Sequence, residues 1–167
     1  MRALVQRVSR ARCTVNGEVT GAIGTGLVVL LGVSARDEAA DADWMARKLS
    51  GLRIFPDSER LMNRDVLEAG GAALVVPQFT LFGDVARGRR PEFLEAARPE
   101  RAEPLFERFC QALAATGVQV QRGVFRAHME VELVNDGPVT IWVESPGREV
   151  APPPAAARGD AAPRTSG

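Results

Sequence analysis

Hydrophobic and polar residues alternate in several segments of this chain, which is the pattern of β-strands with one buried face. The segment 27–33 is apolar on both faces and therefore predicts a central strand. The segment 12–15 is either the hairpin partner of the first strand or its continuation, and Asn16-Gly17 predicts the turn that follows it. The predicted strands comprise residues 3–8, 12–15, 18–23, 27–33, 52–55, 73–82, 118–121, 128–134 and 139–144.

Two other segments carry apolar residues at three- and four-residue steps, which predicts two amphipathic helices. Asp37 is expected to cap the first helix, which runs to about Ser50. The second helix begins at about residue 100 or 103 and ends near residue 116, because two prolines near its start fit only a first helical turn. A short helical turn is expected over residues 91–97.

This order of elements favours a mixed α/β fold, in which antiparallel-rich sheets form a barrel-like core flanked by two main helices. Residues 1–145 would form this single domain. Residues 146–167 include three consecutive prolines and many small residues, with little to bury, so we expect a disordered Pro/Ala-rich tail.

Composition narrows the class of protein. Of the 167 residues, 46% are hydrophobic and 25% are charged, as in globular domains that are soluble in water. The 21 basic and 21 acidic residues cancel, so an RNA partner would have to be held by a local patch such as Arg87-Gly88-Arg89-Arg90. No apolar run reaches membrane-spanning length and no signal-peptide pattern is present, so the expected location is the cytoplasm.

The common catalytic motifs are missing, and few residues could replace them. Cys13 and Cys110 stand alone in apolar surroundings and are expected to pack in the core. His128 is the only histidine, and strand alternation would place it on a solvent-facing side with Glu130 and Glu132. A thiol or serine hydrolase would have to use His128. No cofactor and no metal is expected, because no acidic or cysteine spacing typical of ligation occurs.

Two stretches of the sequence are more informative. In VVPQFTL, alternation would place Gln78 and Thr80 on one face, either as groups that meet a ligand or as the polar side of an edge strand. Residues 131–144 appear as two strands with Gly137-Pro138 between them. A hairpin turn would be ordinary there, yet Pro138 removes a backbone donor where the next strand begins.

These stretches resemble the D-aminoacyl-tRNA deacylase (D-tyrosyl-tRNA deacylase) family over residues 1–145. The segments that carry the resemblance are MRALVQRVSRA, Met62-Asn63, QFTL, GRRPEF and RGVFRAHMEVELVNDGPVT. The resemblance implies hydrolysis of the ester bond of D-aminoacyl-tRNA, with glycyl-tRNA as a second substrate. It also implies a homodimer, with the active site at the subunit interface.

The resemblance further implies how D- and L-esters are told apart. Gly137-Pro138 would form a cis peptide that projects into the partner's pocket, where backbone carbonyls bind the α-amino group. An L-residue would direct its side chain into that backbone and be rejected. Arg7 would hold the Gly-Pro segment, and Met129 would lie on the adenosine side of the site.

For the chemical step, the resemblance implies that the ribose 2′-hydroxyl helps to activate water, while the protein supplies orientation and oxyanion donors. Gln78, the backbone N–H of Phe79, and Thr80 would line the pocket, with Thr80 positioning groups and not acting as a nucleophile. Arg87, Arg89 and Arg90 would contact tRNA phosphates, or else form a solvated loop.

One departure concerns chirality. The family usually has Ser before QFTL, whereas this chain has Pro77. In this respect the chain resembles a related animal deacylase that has relaxed chiral selection and a trans Gly-Pro bond. The alternative function is a non-catalytic module that binds aminoacyl-tRNA or RNA.

Overall fold

The computed structural model describes residues 1–86 and 88–146. In chain order, the strands are β1 (Arg2–Val15), β2 (Glu18–Ile23), β3 (Gly26–Gly32), β4 (Phe55–Pro56), β5 (Met62–Arg64), β6 (Ala72–Pro77), β7 (Gln119–Arg122) and β8 (Glu130–Glu144). The α-helices are α1 (Ala39–Ser50) and α2 (Pro99–Ala115), and a 3₁₀ helix spans Phe79–Phe82.

One mixed sheet organises the molecule, with strand order β2-β1-β3-β6-β7 and β8 paired to β1. The pairs that involve β1 are antiparallel, whereas β3-β6 and β6-β7 are parallel. The sheet curls until β2 contacts β7, which gives a nearly closed barrel. The predicted fold class is therefore confirmed: a mixed α/β, barrel-like core with two main helices.

Apolar side chains of the sheet alternate between two cores. On β3, Leu27, Val29 and Leu31 face the cluster that also contains the buried residues of α1 and α2. Val28 points the other way, into a smaller cluster inside the curled sheet with Cys13. Because β3 is covered on both faces, it needs apolar residues on both of them, and this explains the continuous apolar run in the sequence.

The first hairpin follows the prediction. Strand β1 is continuous, so residues 12–15 extend the first strand, and the register then pairs Val15 with Glu18 of β2. Asn16 and Gly17 have φ values of 51° and 83°. These are the left-handed conformations of a tight turn, which asparagine and glycine adopt at low cost.

The predicted start of α1 at Asp37 is wrong. The N-cap is Glu38, whose N–H donates to the Asp41 carboxylate at 2.9 Å. Asp37 is buried instead, where it accepts hydrogen bonds from the Met1 ammonium at 2.7 Å and from the Ser34 N–H at 2.6 Å. A buried ammonium needs a counter-charge, and that long-range partner outweighed the local capping preference.

The second helix begins at Pro99, slightly earlier than expected, and Pro104 lies inside it. Of the helical turn predicted over residues 91–97, the structure keeps one hydrogen-bonded turn, in which the Ala96 N–H donates to the Phe93 carbonyl at 3.1 Å. Isolated bridges that pair Asp84 with Glu92 and Ser34 with Ala96 flank this turn. The short strand predicted over residues 52–55 is displaced to β4, which pairs with β5.

The strand predicted over residues 73–82 ends at Pro77. Strand β6 pairs with β3 up to the Leu31–Pro77 pair, and the Gln78 N–H then donates to the Leu31 carbonyl at 2.7 Å. The 3₁₀ helix follows immediately. The predicted alternation that placed Gln78 and Thr80 on one strand face is therefore wrong, although both residues remain close together.

The hairpin interpretation of residues 131–144 is also wrong. Both halves of β8 pair with β1: Glu130–Asn135 lie opposite residues 8–14, and Thr140–Glu144 lie opposite residues 2–6. Residues 136–139, which we call the Gly-Pro loop, form a bulge opposite Arg7. A bulge of this kind bends the strand, and residues 136–138 are exposed.

No helix in the described part of the chain is long and apolar enough to cross a membrane. The predicted tail lies outside the described residues, except for its first residue, Pro146.

Candidate functional site

A cleft of about 590 Å³ opens beside the end of β6. Its walls come from the ends of β3 and β6, the beginning of the 3₁₀ helix, the first turns of α2 and the segment that leads into β8. Phe106 and Phe125 form part of its apolar floor. A concave, mainly apolar cavity with a few polar groups is the usual form of a small-molecule site.

The polar groups at this cleft come from the QFTL segment. Gln78 and Phe79 line the cleft, whereas Thr80 is exposed beside it and does not line it. The Gln78 amide donates to the Thr80 hydroxyl, so the nearest partner of that hydroxyl is an amide donor and not a base. Because Phe79 is the first residue of the 3₁₀ helix, its N–H has no acceptor within that helix.

Phe79 and Met129 both line the cleft. The Phe79 side chain is 57% exposed and meets Phe93 edge-on, with ring centroids 5.1 Å apart. Met129 lies close to Gly123, where an added Cβ would stand 2.7 Å from the Met129 sulfur. Glycine at position 123 therefore lets the thioether side chain lie flat against the backbone.

His128 is exposed at the edge of the cleft, two residues before β8 begins. Its exposure matches the expectation of a solvent-facing residue, while the strand that was predicted to contain it starts later. Within residues 1–86 and 88–146, no three His, Cys, Asp or Glu side chains lie close enough together to hold a metal ion.

The two cysteines are buried and poorly suited to nucleophilic attack. Cys13 is fully buried in the smaller core. Burial, helped by the nearby Glu107 carboxylate, raises the pKa of the Cys110 thiol to about 12. A thiol hydrolase needs an accessible thiolate at neutral pH, so neither side chain supports that reading.

The Gly-Pro loop is exposed and held by its own neighbours. The Gly137–Pro138 peptide bond is cis, and Gly137 has a φ of 125°. The Asn135 side chain closes the base of the loop, accepting the Val139 N–H at 2.8 Å and donating to the Thr140 hydroxyl at 3.0 Å. These contacts fix the path of the main chain without using the outer face of the loop.

Arg7 supports the loop from behind. It is 8% exposed, and its guanidinium donates to the Asp136 carbonyl at 3.1 Å and to the Ile54 carbonyl at 2.6 Å. The Asp136 carboxylate lies 3.2 Å away and supplies the counter-charge. A planar guanidinium with several donors is suited to such a role, because it can hold two backbone segments at once.

The loop and the cleft do not meet within one chain. None of Arg7, Gly137 and Pro138 lines the cleft that contains Gln78, Phe79 and Met129. The structure therefore assembles the expected residues into two separate groups. Each group is ordered by its own contacts and faces outward.

The arginine cluster is a third, separate feature. Arg89 and Arg90 are exposed in a small groove that also contains Asp84 and Glu92, and neither arginine lines the cleft. Arg87 lies outside the described residues.

Several residues with clear positions were missed from the sequence. Asn135 was expected from the sequence only as part of a turn, and its hydrogen bonds across the base of the loop were not predicted. The Ile54 carbonyl gave no signal, since any residue supplies one. Arg98 and Arg126 also line the cleft, although neither belongs to a cationic cluster in the sequence.

Comparison with known proteins points to one family. A family model described as D-Tyr-tRNA(Tyr) deacylase matches residues 4–144. A D-aminoacyl-tRNA deacylase of Symbiobacterium thermophilum is 64% identical over 145 residues, covering 87% of this chain and 96% of that protein. A protein of the same name from Thermus aquaticus is 52% identical over 145 residues, covering 87% of this chain and 95% of that protein.

Solved structures share the fold. A c-Myc DNA Unwinding Element Binding Protein superposes with a TM-score of 0.82 at 41% identity, covering 88% of this chain and all of that chain. A protein described as a probable eukaryotic D-amino acid tRNA deacylase superposes with a TM-score of 0.73, covering 85% of this chain and 97% of that chain. At 20% identity, the second likeness concerns the fold alone.

Proposed function

Because this chain belongs to the D-Tyr-tRNA(Tyr) deacylase family, we propose that it hydrolyses the ester bond of D-aminoacyl-tRNA and releases the free D-amino acid and tRNA. We further propose that it acts in the cytoplasm as a homodimer. In the dimer, the Gly-Pro loop of each protomer would enter the cleft of its partner.

The proposal of a site shared between two protomers rests on one observation. The Gly-Pro loop is held rigidly and exposed, yet it does not line the cleft of its own chain. In a two-fold dimer the same two patches meet twice, so one contact would complete two sites. Strand β8, which bears the loop, pairs only with β1 among the described strands and so has a free edge beside the loop.

Chiral selection follows from placing main chain opposite the α-carbon. The backbone carbonyls of the partner's loop would accept hydrogen bonds from the substrate's α-ammonium group. With the ammonium and ester fixed, the side chain of a D-residue points away from the loop, whereas that of an L-residue collides with it. Glycine has no side chain to collide, so glycyl-tRNA is a second proposed substrate. Enantiomers carry identical functional groups, and a directional clash is therefore an effective filter.

The chemistry requires little acid–base machinery from the protein. Water would attack the ester carbonyl, and the neighbouring ribose 2′-hydroxyl would accept a proton from that water while it passes its own proton to the 3′-oxygen. The bond between the carbonyl carbon and the 3′-oxygen would then break, which releases the free amino acid and the 3′-hydroxyl of the tRNA. The Phe79 N–H and the Gln78 amide would donate to the developing oxyanion. Thr80 would orient the Gln78 side chain. The contact between the Thr80 hydroxyl and the Gln78 amide favours this role over attack by Thr80 on the substrate.

The test is a comparison of two mirror-image substrates. With D-Tyr-tRNA and L-Tyr-tRNA at equal concentration, we expect ester loss from the D-form to be faster by at least about a hundredfold. The measurement is the initial rate of release of radiolabelled tyrosine. Spontaneous hydrolysis without protein provides the baseline for each ester.

The outcomes separate the candidate functions. Loss of both esters at the spontaneous rate would leave only the alternative, a module that binds aminoacyl-tRNA or RNA without turnover. Rapid loss of both would mean that the ester is hydrolysed without chiral selection, and Pro77, which lines the cleft, would be the first position to change to serine.

A further inference from the structure

The charges that line the cleft have one sign. Arg98 and Arg126 are in its walls, and no carboxylate is among the lining residues described. In a chain with equal numbers of acidic and basic residues, such a segregation is not expected from composition. A cleft with low-dielectric walls and unopposed cations concentrates anions at its mouth.

The two arginines are also free of internal partners. Most arginines elsewhere in the fold hold a carboxylate or a backbone carbonyl, as Arg108 does with Asp43 and Arg122 with Glu107. Among the described residues, neither Arg98 nor Arg126 has an ion pair or a side-chain hydrogen bond, and both are exposed. Their five donors each are therefore available to a ligand.

Arg126 occupies an unusual backbone conformation. Its φ is 63°, in the left-handed region that glycine adopts freely and a long side chain seldom does. Residues held in that region at the edge of a cavity often have a functional reason, because glycine would be the more stable choice there.

We propose that Arg98 and Arg126 bind the phosphodiester groups of the single-stranded 3′ end of the tRNA substrate. This inference rests on the proposed function and adds to it the contacts that hold the nucleic acid at the cleft. The terminal nucleoside would enter the apolar interior, and the phosphate that joins it to the preceding nucleotide would remain at the mouth, beside the two guanidinium groups. Arg98 lies just before α2 and Arg126 lies between β7 and β8, so two separate segments would hold the strand.

The proposed substrate makes a phosphodiester the expected anion, because the carboxyl group of its amino acid is esterified and carries no charge. Guanidinium groups bind phosphate oxygens with paired hydrogen bonds, and such contacts position a nucleic acid without reading its sequence. Arg89 and Arg90 are less suited to this role, because Asp84 and Glu92 share their groove. The primary phosphate contacts would therefore come from the cleft and not from the arginine cluster.

The test compares a substrate that has phosphates with one that lacks them. The variants are Arg126→Gly and Arg98→Gln, assayed on D-Tyr-tRNA and on the D-tyrosyl ester of adenosine. On the tRNA ester, each variant should raise KM by about fivefold, leave kcat within about twofold, and lower the salt dependence of kcat/KM by about 0.7 in slope. On the phosphate-free ester, both variants should match the wild type. Arg98→Lys should recover much of the loss, since it keeps the charge.

Matched controls remove an equal charge elsewhere. Arg60 also has a left-handed φ, of 65°, and is exposed away from the cleft, so Arg60→Gly repeats the backbone change of Arg126→Gly. Arg64→Gln, on the exposed strand β5, is the control for Arg98→Gln, because it removes the same charge by the same substitution. Both controls should keep the wild-type KM.

An unchanged KM on D-Tyr-tRNA in both variants, or an equal rise on the phosphate-free ester, would overturn the inference while leaving the proposed function intact. Failure of the wild type to hydrolyse either ester would instead remove the proposed function, and this inference with it.

Discussion

Gly137→Ala is expected to lower kcat/KM for D-Tyr-tRNA by at least about a hundredfold. Gly137 has a φ of 125°, which an L-residue with a Cβ adopts only under strain. An added Cβ would also stand 2.9 Å from the Arg7 guanidinium nitrogen and 2.9 Å from a methyl carbon of Val139. The loop must move to relieve these contacts, and the carbonyls proposed to bind the α-ammonium group move with it.

The control for this variant is Gly17→Ala in the turn between β1 and β2. Gly17 also has a left-handed φ, of 83°, but a Cβ there would meet nothing within 4 Å. Both variants therefore carry a backbone cost of about 1 to 3 kcal/mol, and only Gly137→Ala displaces the loop. Initial rates measured alongside urea denaturation separate the two effects. Equal activity of the two variants would show that the loop is an ordinary turn.

Gly26→Ala is expected to reduce the free energy of unfolding by about 3 kcal/mol. Gly26 pairs with Ala72 where the parallel strands β3 and β6 begin, and a Cβ on it would lie 1.9 Å from the Ala72 carbonyl oxygen. The obstacle is backbone, so no side-chain rotation relieves it. The two strands would have to separate at the centre of the sheet.

Gly24→Ala is the matched control, since Gly24 is exposed two residues earlier and its added Cβ would meet nothing within 4 Å. It should change the free energy of unfolding by no more than about 0.5 kcal/mol. Urea midpoints of the two variants give the comparison. Coincident midpoints would mean that the backbones of β3 and β6 leave room for a Cβ at position 26, which contradicts this close approach.

The elements that the sequence predicted well are those set by local chemistry. Strand β3 was found from an apolar run, and the β1–β2 turn from Asn16-Gly17, because periodicity and turn preferences act over a few residues. The errors have non-local causes. Asp37 binds the Met1 ammonium, and both halves of β8 pair with β1 instead of with each other. No local pattern distinguishes a hairpin from a strand interrupted by a bulge.

The candidate site shows the same division. Gln78, Phe79 and Met129 were named from the family resemblance and lie together at one cleft, while Gly137 and Pro138 lie apart from it. The sequence alone did not indicate Arg98 and Arg126, which are distant along the chain and become neighbours of one cavity only after α2 packs on the sheet.

Mixing two inactive variants tests most directly whether the loop acts across the dimer. Gly137→Ala spoils the loop and Gln78→Ala spoils the cleft, so each homodimer should be nearly inactive. A mixed dimer, co-expressed with two different tags, would contain one site with both defects and one site with neither. With random pairing, about half of the dimers are mixed, and each mixed dimer has one intact site of two. If the loop serves the partner's cleft, the unseparated mixture should therefore show about a quarter of the wild-type rate on D-Tyr-tRNA. If the mixture stays as inactive as the separate variants, each loop serves its own chain or no site at all, and the cross-protomer account is wrong.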